Sequence, residues 1–225
     1  MEFKLSPRLK ACCDYVRPGA VVADVGCDHG YTSIYLLEKG IAKEVYACDV
    51  KEGPLSTARR NCRGLGLGER ISFFLSDGVS SVPRDFDTLI CAGMGADVMV
   101  SILSAAPWLE SGNYHLILQC QSKTPTLRKF LSERGYRIRN ESVVRDGRFL
   151  YTVMDVVYEK ETLTEAETYF SPALVRTASA DVPAYYRHVM KNLRISAEGQ
   201  KSEALGHIVK ELEETVPAWV KEDAT

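Results

Sequence analysis

The chain has 225 residues, 45% apolar and 26% charged, enough for one full domain with a real core plus an appendage. That composition excludes a disordered or low-complexity chain, and no window approaches the roughly 20 consecutive apolar residues of a membrane span. A net charge of −2 neither marks nor excludes a nucleic-acid partner: residues 161–225 carry 7 Lys and Arg against 11 Asp and Glu, which leaves +2 on residues 1–160. The seven cysteines include no C-x-x-C pair, and no histidine stands at a metal-ligand spacing. Reduced thiols are therefore expected, with no disulfide framework and no metal. Met1–Ser6 lacks the apolar stretch of a signal peptide, so the expected location is the cytoplasm.

Along the chain, Ser6-Pro7 predicts a helix start, followed by an apolar stripe of Leu9, Cys12, Cys13 and Val16 and a stop at Arg17-Pro18-Gly19. Val21-Val22-Ala23-Asp24-Val25 predicts a strand that ends in the glycine turn Gly26-Cys27-Asp28-His29-Gly30. Helix is predicted over 33–38, with Gly40 as its stop. A second strand closes with Val45-Tyr46-Ala47-Cys48-Asp49, and a helix follows over about 54–63. Further strands are predicted over 71–75, 86–91 and 115–120, with helices near 97–105 and over 124–134. Two long strands, 136–144 and 149–158, flank Asp146-Gly147, a hairpin signal.

Strands alternating with helices predict an α/β domain with a doubly wound, mostly parallel sheet. A terminal antiparallel hairpin completes seven strands, the Rossmann-like class I pattern. Beyond residue 160 the strand pattern stops. Val182–Ile195 reads as helix, and Leu205, Ile208, Val209, Leu212 and Val216 fall on one helical face. The predicted organisation is a domain over 1–160 and a helical hairpin over 161–225.

Ligands in such a sheet sit beyond the carboxyl ends of the strands. Three of those ends carry acids: Asp24 in the first turn, Asp49, and Asp77 beside Gly78. The spacing Asp24-x-Gly26-x-Asp28-x-Gly30 is not the G-x-G-x-x-G of dinucleotide binders. It is the acid-x-Gly-x-Gly-x-Gly arrangement of S-adenosylmethionine (SAM) sites, with Asp28 at the middle glycine. Asp49 is expected to accept from the ribose hydroxyls and Asp77 from the adenine amino group. Asp24 and Gly26 are expected to hold the methionine part. After the fourth strand comes Ala92-Gly93-Met94-Gly95, a glycine-opened loop where a planar base can approach the backbone. Gly93 is placed with the cofactor, and Met94 and Gly95 with the substrate.

His29 and Tyr31, on the glycine turn, are candidates for base contact or stacking, and His29 for a general base. Cys27, Cys48, Cys91 and Cys120 fall near strand ends and read as packing residues rather than nucleophiles. Arg187, Lys191 and Arg194 recur at i, i+4, i+7 with no acid over 184–196, a stripe suited to phosphates or simply to solvent. Arg128, Lys129, Arg134, Arg137 and Arg139 add a patch whose orientation the sequence leaves open.

Together, Leu5-Ser6-Pro7-Arg8-Leu9, the turn Asp28-His29-Gly30-Tyr31, Glu52-Gly53-Pro54, Ser76-Asp77-Gly78, Ala92-Gly93-Met94-Gly95 and Leu116-Ile117-Leu118-Gln119 resemble the bacterial TrmK family. These are SAM-dependent tRNA (adenine-22-N1)-methyltransferases with a Rossmann-like domain and a C-terminal coiled-coil-like extension. The resemblance covers residues 5–160; Tyr169-Phe170-Ser171-Pro172 is its only familiar piece in the tail. It implies SAM as cofactor, tRNA as partner and N1 of adenine in the D-arm as target; a monomer with no membrane association is the accompanying expectation. Cys27 stands where the family commonly has serine, Gly30 where it has alanine, and Cys120-Gln121 where it has proline and asparagine. On this reading Gln121 supplies an amide near the base, Asp28 stabilises the cationic product, shapes the turn or holds the methionine ammonium, and Arg8 reaches the methionine carboxylate or RNA. The alternatives are a small-molecule N- or O-methyltransferase and a non-catalytic SAM-binding RNA protein.

Overall fold

The computed structural model describes residues 5–222; residues 1–4 and 223–225, at the outer ends of the two predicted regions, lie outside the described residues. In chain order the elements are α1 (Pro7–Asp14), β1 (Ala20–Val25), α2 (Tyr31–Glu38), β2 (Ala42–Asp49), α3 (Glu52–Cys62), β3 (Ile71–Leu75), β4 (Thr88–Met94), α4 (Ala96–Ser104), β5 (His115–Cys120), α5 (Thr124–Glu133), β6 (Arg137–Asp146) and β7 (Phe149–Val157). The seven strands form one sheet in the order β3-β2-β1-β4-β5-β7-β6. β1 to β5 are parallel, and β7 runs antiparallel to both of its neighbours. The strand order reverses between β1 and β4, the crevice where open α/β sheets take their ligands.

The central strands show why the sheet forms. Each is a short apolar run buried on both faces, so successive side chains feed opposite layers. Leu116 and Leu118 join the layer that contains Met99, Leu103 and Leu131 of α4 and α5, while Ile117 joins Ile34 and Leu37 of α2 on the other side. Each such buried side chain contributes about 1.5–3 kcal/mol. The β6–β7 turn keeps Asp146 paired with Phe149, and Gly147, at φ +59°, takes the left-handed first position of a two-residue hairpin turn.

Several boundaries differ from expectation. β4 starts its ladder at Thr88 rather than Phe86, and the Phe86 ring packs edge-on with Trp108 and tilted against Tyr114 at centroid distances of 5.8 and 5.3 Å. The same strand runs on through Ala92, Gly93 and Met94, so those residues are a strand end and not a loop. In the first turn, helix starts two residues earlier than expected: Tyr31 is the first residue of α2.

After β7 come α6 (Glu165–Tyr169), α7 (Pro172–Thr177), α8 (Val182–Gln200), α9 (Glu203–Thr215) and α10 (Ala218–Lys221). The expected hairpin is α8–α9, joined by three short helices that sequence periodicity did not reveal. Thr164 and Glu167 form a capping box at α6, and the Ser202 hydroxyl accepts from the Leu205 N–H at α9. The helices share a core of Phe170, Leu174, Tyr186, Met190, Ile208 and Leu212, which Val143 of β6 joins.

A fully buried ion pair fixes this appendage to the sheet. Arg128 of α5 lies 2.7 Å from Glu141 of β6. Arg128 also donates to the carbonyls of Thr168 and Tyr169 at 2.8 and 2.9 Å, and the Ser171 hydroxyl donates to Glu141 at 2.6 Å. Charges so buried persist only when fully satisfied, as these are. Arg128 is therefore a strut and no part of a surface patch. Its sequence neighbours are engaged as well: Arg134 with Glu110, Arg137 with Glu159, and Arg139 with Asp155.

Candidate active site

A groove of about 480 Å³ crosses the carboxyl ends of β1, β2 and β4 and the Ser76-Asp77-Gly78 segment after β3. It brings together Arg8, Asp24, Gly26, Asp28, His29, Tyr31, Asp49, Asp77, Gly78, Gly93 and Met94. Four acids therefore line it, three of them, Asp24, Asp49 and Asp77, at or just after successive strand ends.

Asp24 is the buried one, 3% exposed. Desolvation pushes its carboxyl up to about 6, against the hydrogen bond it accepts from the Ser33 hydroxyl at 2.6 Å. A cationic ligand group at this point would reverse that cost by favouring the carboxylate. Gly26, at φ +69°, and Cys27 donate their N–H groups to the Cys48 carbonyl at 2.8 and 2.9 Å, which ties the turn to β2. A Cβ on Gly26 would also meet the terminal methyl of Met94, which can swing aside, so it is the left-handed backbone that favours glycine here.

Asp28 occupies a left-handed conformation at φ +49°, one that glycine adopts without cost and aspartate tolerates. This explains an aspartate at the middle glycine position. Its backbone N–H points to the Asp49 carboxylate at 3.4 Å, and the other Asp49 oxygen accepts from the Lys51 N–H at 2.9 Å. Two backbone donors thus orient Asp49 while leaving lone pairs on both oxygens for a diol. Asp77 is exposed, and Gly78 beside it, at φ +56°, is packed under Ile102.

Also lining the groove, the Arg8 guanidinium lies 3.1 Å from the Gln119 side-chain oxygen and 3.5 Å from Asp146. His29 and Tyr31 stand with ring centroids 5.7 Å apart at the mouth, and Tyr31 is 39% exposed. The cysteines near the strand ends are buried, with thiols pushed up by desolvation, Cys48 to about 12. Thiols held neutral in this way are not nucleophiles.

Some predicted residues fall elsewhere. Gln121 does not line the groove; its amide reaches only the Gly93 edge and faces a neighbouring crevice of about 590 Å³ bounded by α8 and α9. Gly95 lies beside the groove under the Ser122 hydroxyl. Arg187, Lys191 and Arg194 line a third crevice, where Arg194 pairs with Glu213 at 2.5 Å and Arg187 donates to the Glu222 carbonyl at 3.2 Å. The side of α8 that faces the Gln121 crevice carries His188, Asn192 and Ser196, roughly 130° around the helix from the basic stripe at 100° per residue. Sequence reasoning missed Ser33 and assigned no role to the Gln119 amide, since neither stands at a strand end beside a glycine.

Chemically, the groove offers a buried carboxylate for a cation, a second for two hydroxyls and a third beside a backbone amide for an amino group. That donor set fits an aminoacyl-like nucleoside. A family of methyltransferase domains matches residues 5–154. The chain belongs to that family. It is 31% identical over 154 residues to the tRNA (adenine(22)-N(1))-methyltransferase of Bacillus subtilis, a match that spans 68% of this chain and 65% of that protein. In three dimensions the likeness extends further. The crystal structure of the B. subtilis m1A22 tRNA methyltransferase TrmK superposes with a TM-score of 0.80 at 26% identity, over 94% of this chain and 95% of that one. A Streptococcus pneumoniae structure in complex with S-adenosyl-L-methionine gives 0.84 at 27% identity, over 95% and 100%. The methyltransferase fold and its helical appendage are thus shared along nearly the whole of this chain.

Proposed function

We propose that this methyltransferase transfers a methyl group from SAM to N1 of adenine 22 in the D-arm of tRNA. The observation that carries the reading is the ladder of three carboxylates along a glycine-opened groove, in a chain whose m1A22 likeness extends through the appendage. In the proposed arrangement Asp24 and Gly26 hold the methionine ammonium and Arg8 its carboxylate. Asp49 accepts from the ribose hydroxyls, and Asp77 with the Gly78 amide takes the adenine.

SAM supplies an electrophilic methyl group on its sulfonium. N1 of neutral adenine already presents a lone pair, so attack needs no prior deprotonation, and His29 is not required as a base. The methylated base is cationic. Asp28, exposed at the mouth of the groove, is assigned to stabilise that developing charge. Gly93, Met94 and Gly95 form the edge on which the base settles, Tyr31 stacks against it, and alignment of base and methyl supplies much of the rate. Exposing the adenine from its stack costs a few kcal/mol.

Gln121 lies one step beyond the base, towards the crevice under α8, where the flanking nucleotides would run. Arg187, Lys191 and Arg194 are assigned to tRNA phosphates outside the groove, and Arg194 must leave Glu213 to reach one. Residues 1–160 are read as the methyltransferase domain and 161–225 as its RNA-contacting appendage, in a monomeric cytoplasmic enzyme. Among the described residues no helix is long and apolar enough to cross a membrane.

The test is methyl transfer from labelled SAM to unmodified bulk tRNA, followed by nucleoside mass spectrometry. N1-methyladenosine mapped to position 22 is the expected product. Cofactor binding with no labelled RNA would instead favour a small-molecule acceptor or a binding protein.

A further inference from the structure

The β4–β5 ladder runs in step from Thr88↔His115 to Ala92↔Gln119 and then jumps to Met94↔Cys120. Gly93 is the extra residue, at φ +81°, in the left-handed region that a bulge of this kind uses. A bulged residue leaves its N–H without a ladder partner. Here that N–H donates to the side-chain oxygen of Gln119 at 3.0 Å, and the same oxygen accepts from Arg8 at 3.1 Å. The Gln119 amide nitrogen donates to the Cys120 carbonyl at 3.2 Å. Arg8 continues the chain to Asp146 in the β6–β7 hairpin. On the far side the rim is held by backbone alone, the Gln121 N–H on the Met94 carbonyl and the Ala96 N–H on the Ser122 carbonyl.

Gln119 is 0% exposed, too deep to touch a substrate. A leucine would fill nearly the same volume at no desolvation cost, yet it would leave the Gly93 N–H unpaired. The polar side chain therefore serves the bulge, not the core. We propose that Gln119 is a positioning residue: it sets the height of the Gly93 bulge, and with it the Met94–Gly95 edge on which the acceptor base meets the methyl donor. This inference rests on the methyl-transfer reading above.

The experiment compares Gln119→Leu with Gln119→Glu. Glutamate keeps an oxygen for both the Gly93 N–H and Arg8, and in its protonated form a hydroxyl for the Cys120 carbonyl; leucine keeps only the packing. Gln119→Leu is expected to lose about 100-fold in kcat, the cost of a misplacement near 1 Å, with tRNA KM near the parent value; Arg8 loses its Gln119 partner and keeps Asp146, so cofactor Kd shifts far less than kcat. Gln119→Glu is expected to recover at least about tenfold of that loss. A packing role predicts the reverse order, because a buried carboxylate harms the core while leucine does not. Amide hydrogen exchange over residues 92–96 gives a second readout that needs no turnover: faster at Gly93 in Gln119→Leu, protected in Gln119→Glu. Gln119→Met serves the same comparison where the leucine variant does not fold. Parental kcat and parental exchange in the leucine variant would overturn the proposal. A parent protein that methylates no tRNA would overturn the functional reading instead, and the exchange comparison would still decide what holds the bulge.

Discussion

The strand-end groove and the face of α8 carry the two charge patterns that stand out in this chain, and they meet different fates. Asp24, Asp49 and Asp77 are separated by 25 and 28 residues in sequence, yet all three line one groove. Arg187, Lys191 and Arg194 are neighbours on one helix, yet they line a crevice with Glu213 and share no lining residue with that groove. A parallel sheet delivers every strand end to the same edge, so an acid placed there has its destination set by topology. A helix face has no such address. Where it points depends on what the adjoining apolar face packs against, here the cluster of Tyr186, Met190 and Leu193 with α9.

The variant expected to separate the two regions most strongly is Arg128→Met, which leaves Glu141 buried without its partner. It should cost about 3–5 kcal/mol, read by chemical denaturation, and loosen the appendage from the sheet. A loss below about 1 kcal/mol would mean that the appendage is held by its apolar contacts alone. Next in size is Asp49→Ala, which removes the oxygens assigned to the ribose. Cofactor affinity by calorimetry should fall by at least about 2 kcal/mol, roughly 30-fold, with the fold intact. Unchanged affinity would reject that assignment.

Asp24 gives a pH signature. Its folded value near 6 lies above the usual 3.8, so its favourable contribution to folding is complete below 3.8 and is lost as pH rises through 6. A bound ammonium favours the ionised form and reverses the sign for binding. Cofactor affinity should therefore climb by up to about tenfold per pH unit towards pH 6 and flatten above it, with proton release on binding in the acidic range. The Asp24→Asn variant should abolish the slope; a slope that survives would place the titrating group elsewhere. The smallest effect belongs to the α8 stripe. Arg187→Glu combined with Lys191→Glu should weaken tRNA binding by about 1 kcal/mol, reduce its salt slope by about 2 and leave cofactor affinity alone. Unchanged RNA binding would remove that face from the interface.

Much of the groove was legible because its residues stand in local patterns. Acid, glycine and β-branched run occur together, and Gly26 and Asp28 show their left-handed geometry through residue type. What was not legible depends on residues far apart. Gln119 reads as one more position in an apolar strand until Gly93, 26 residues away, is seen donating to it. Arg128 reads as part of a basic patch until Glu141, Ser171 and the end of α6 close around it. The short helices α6 and α7 hold 5 and 6 residues, too few for a periodic signal.

The amino-acid sequence by itself determined the strand and helix alternation, the sheet class and the acids and glycines at the strand ends, because periodicity and backbone preference act over a few neighbouring residues. Tertiary structure decided the continuation of β4 through its bulge, the burial of Arg128, the separation of the basic stripe from the groove and the role of Gln119. Each of those depends on which partner arrives from a distant part of the chain, and hydrogen bonding and desolvation are settled only when it does.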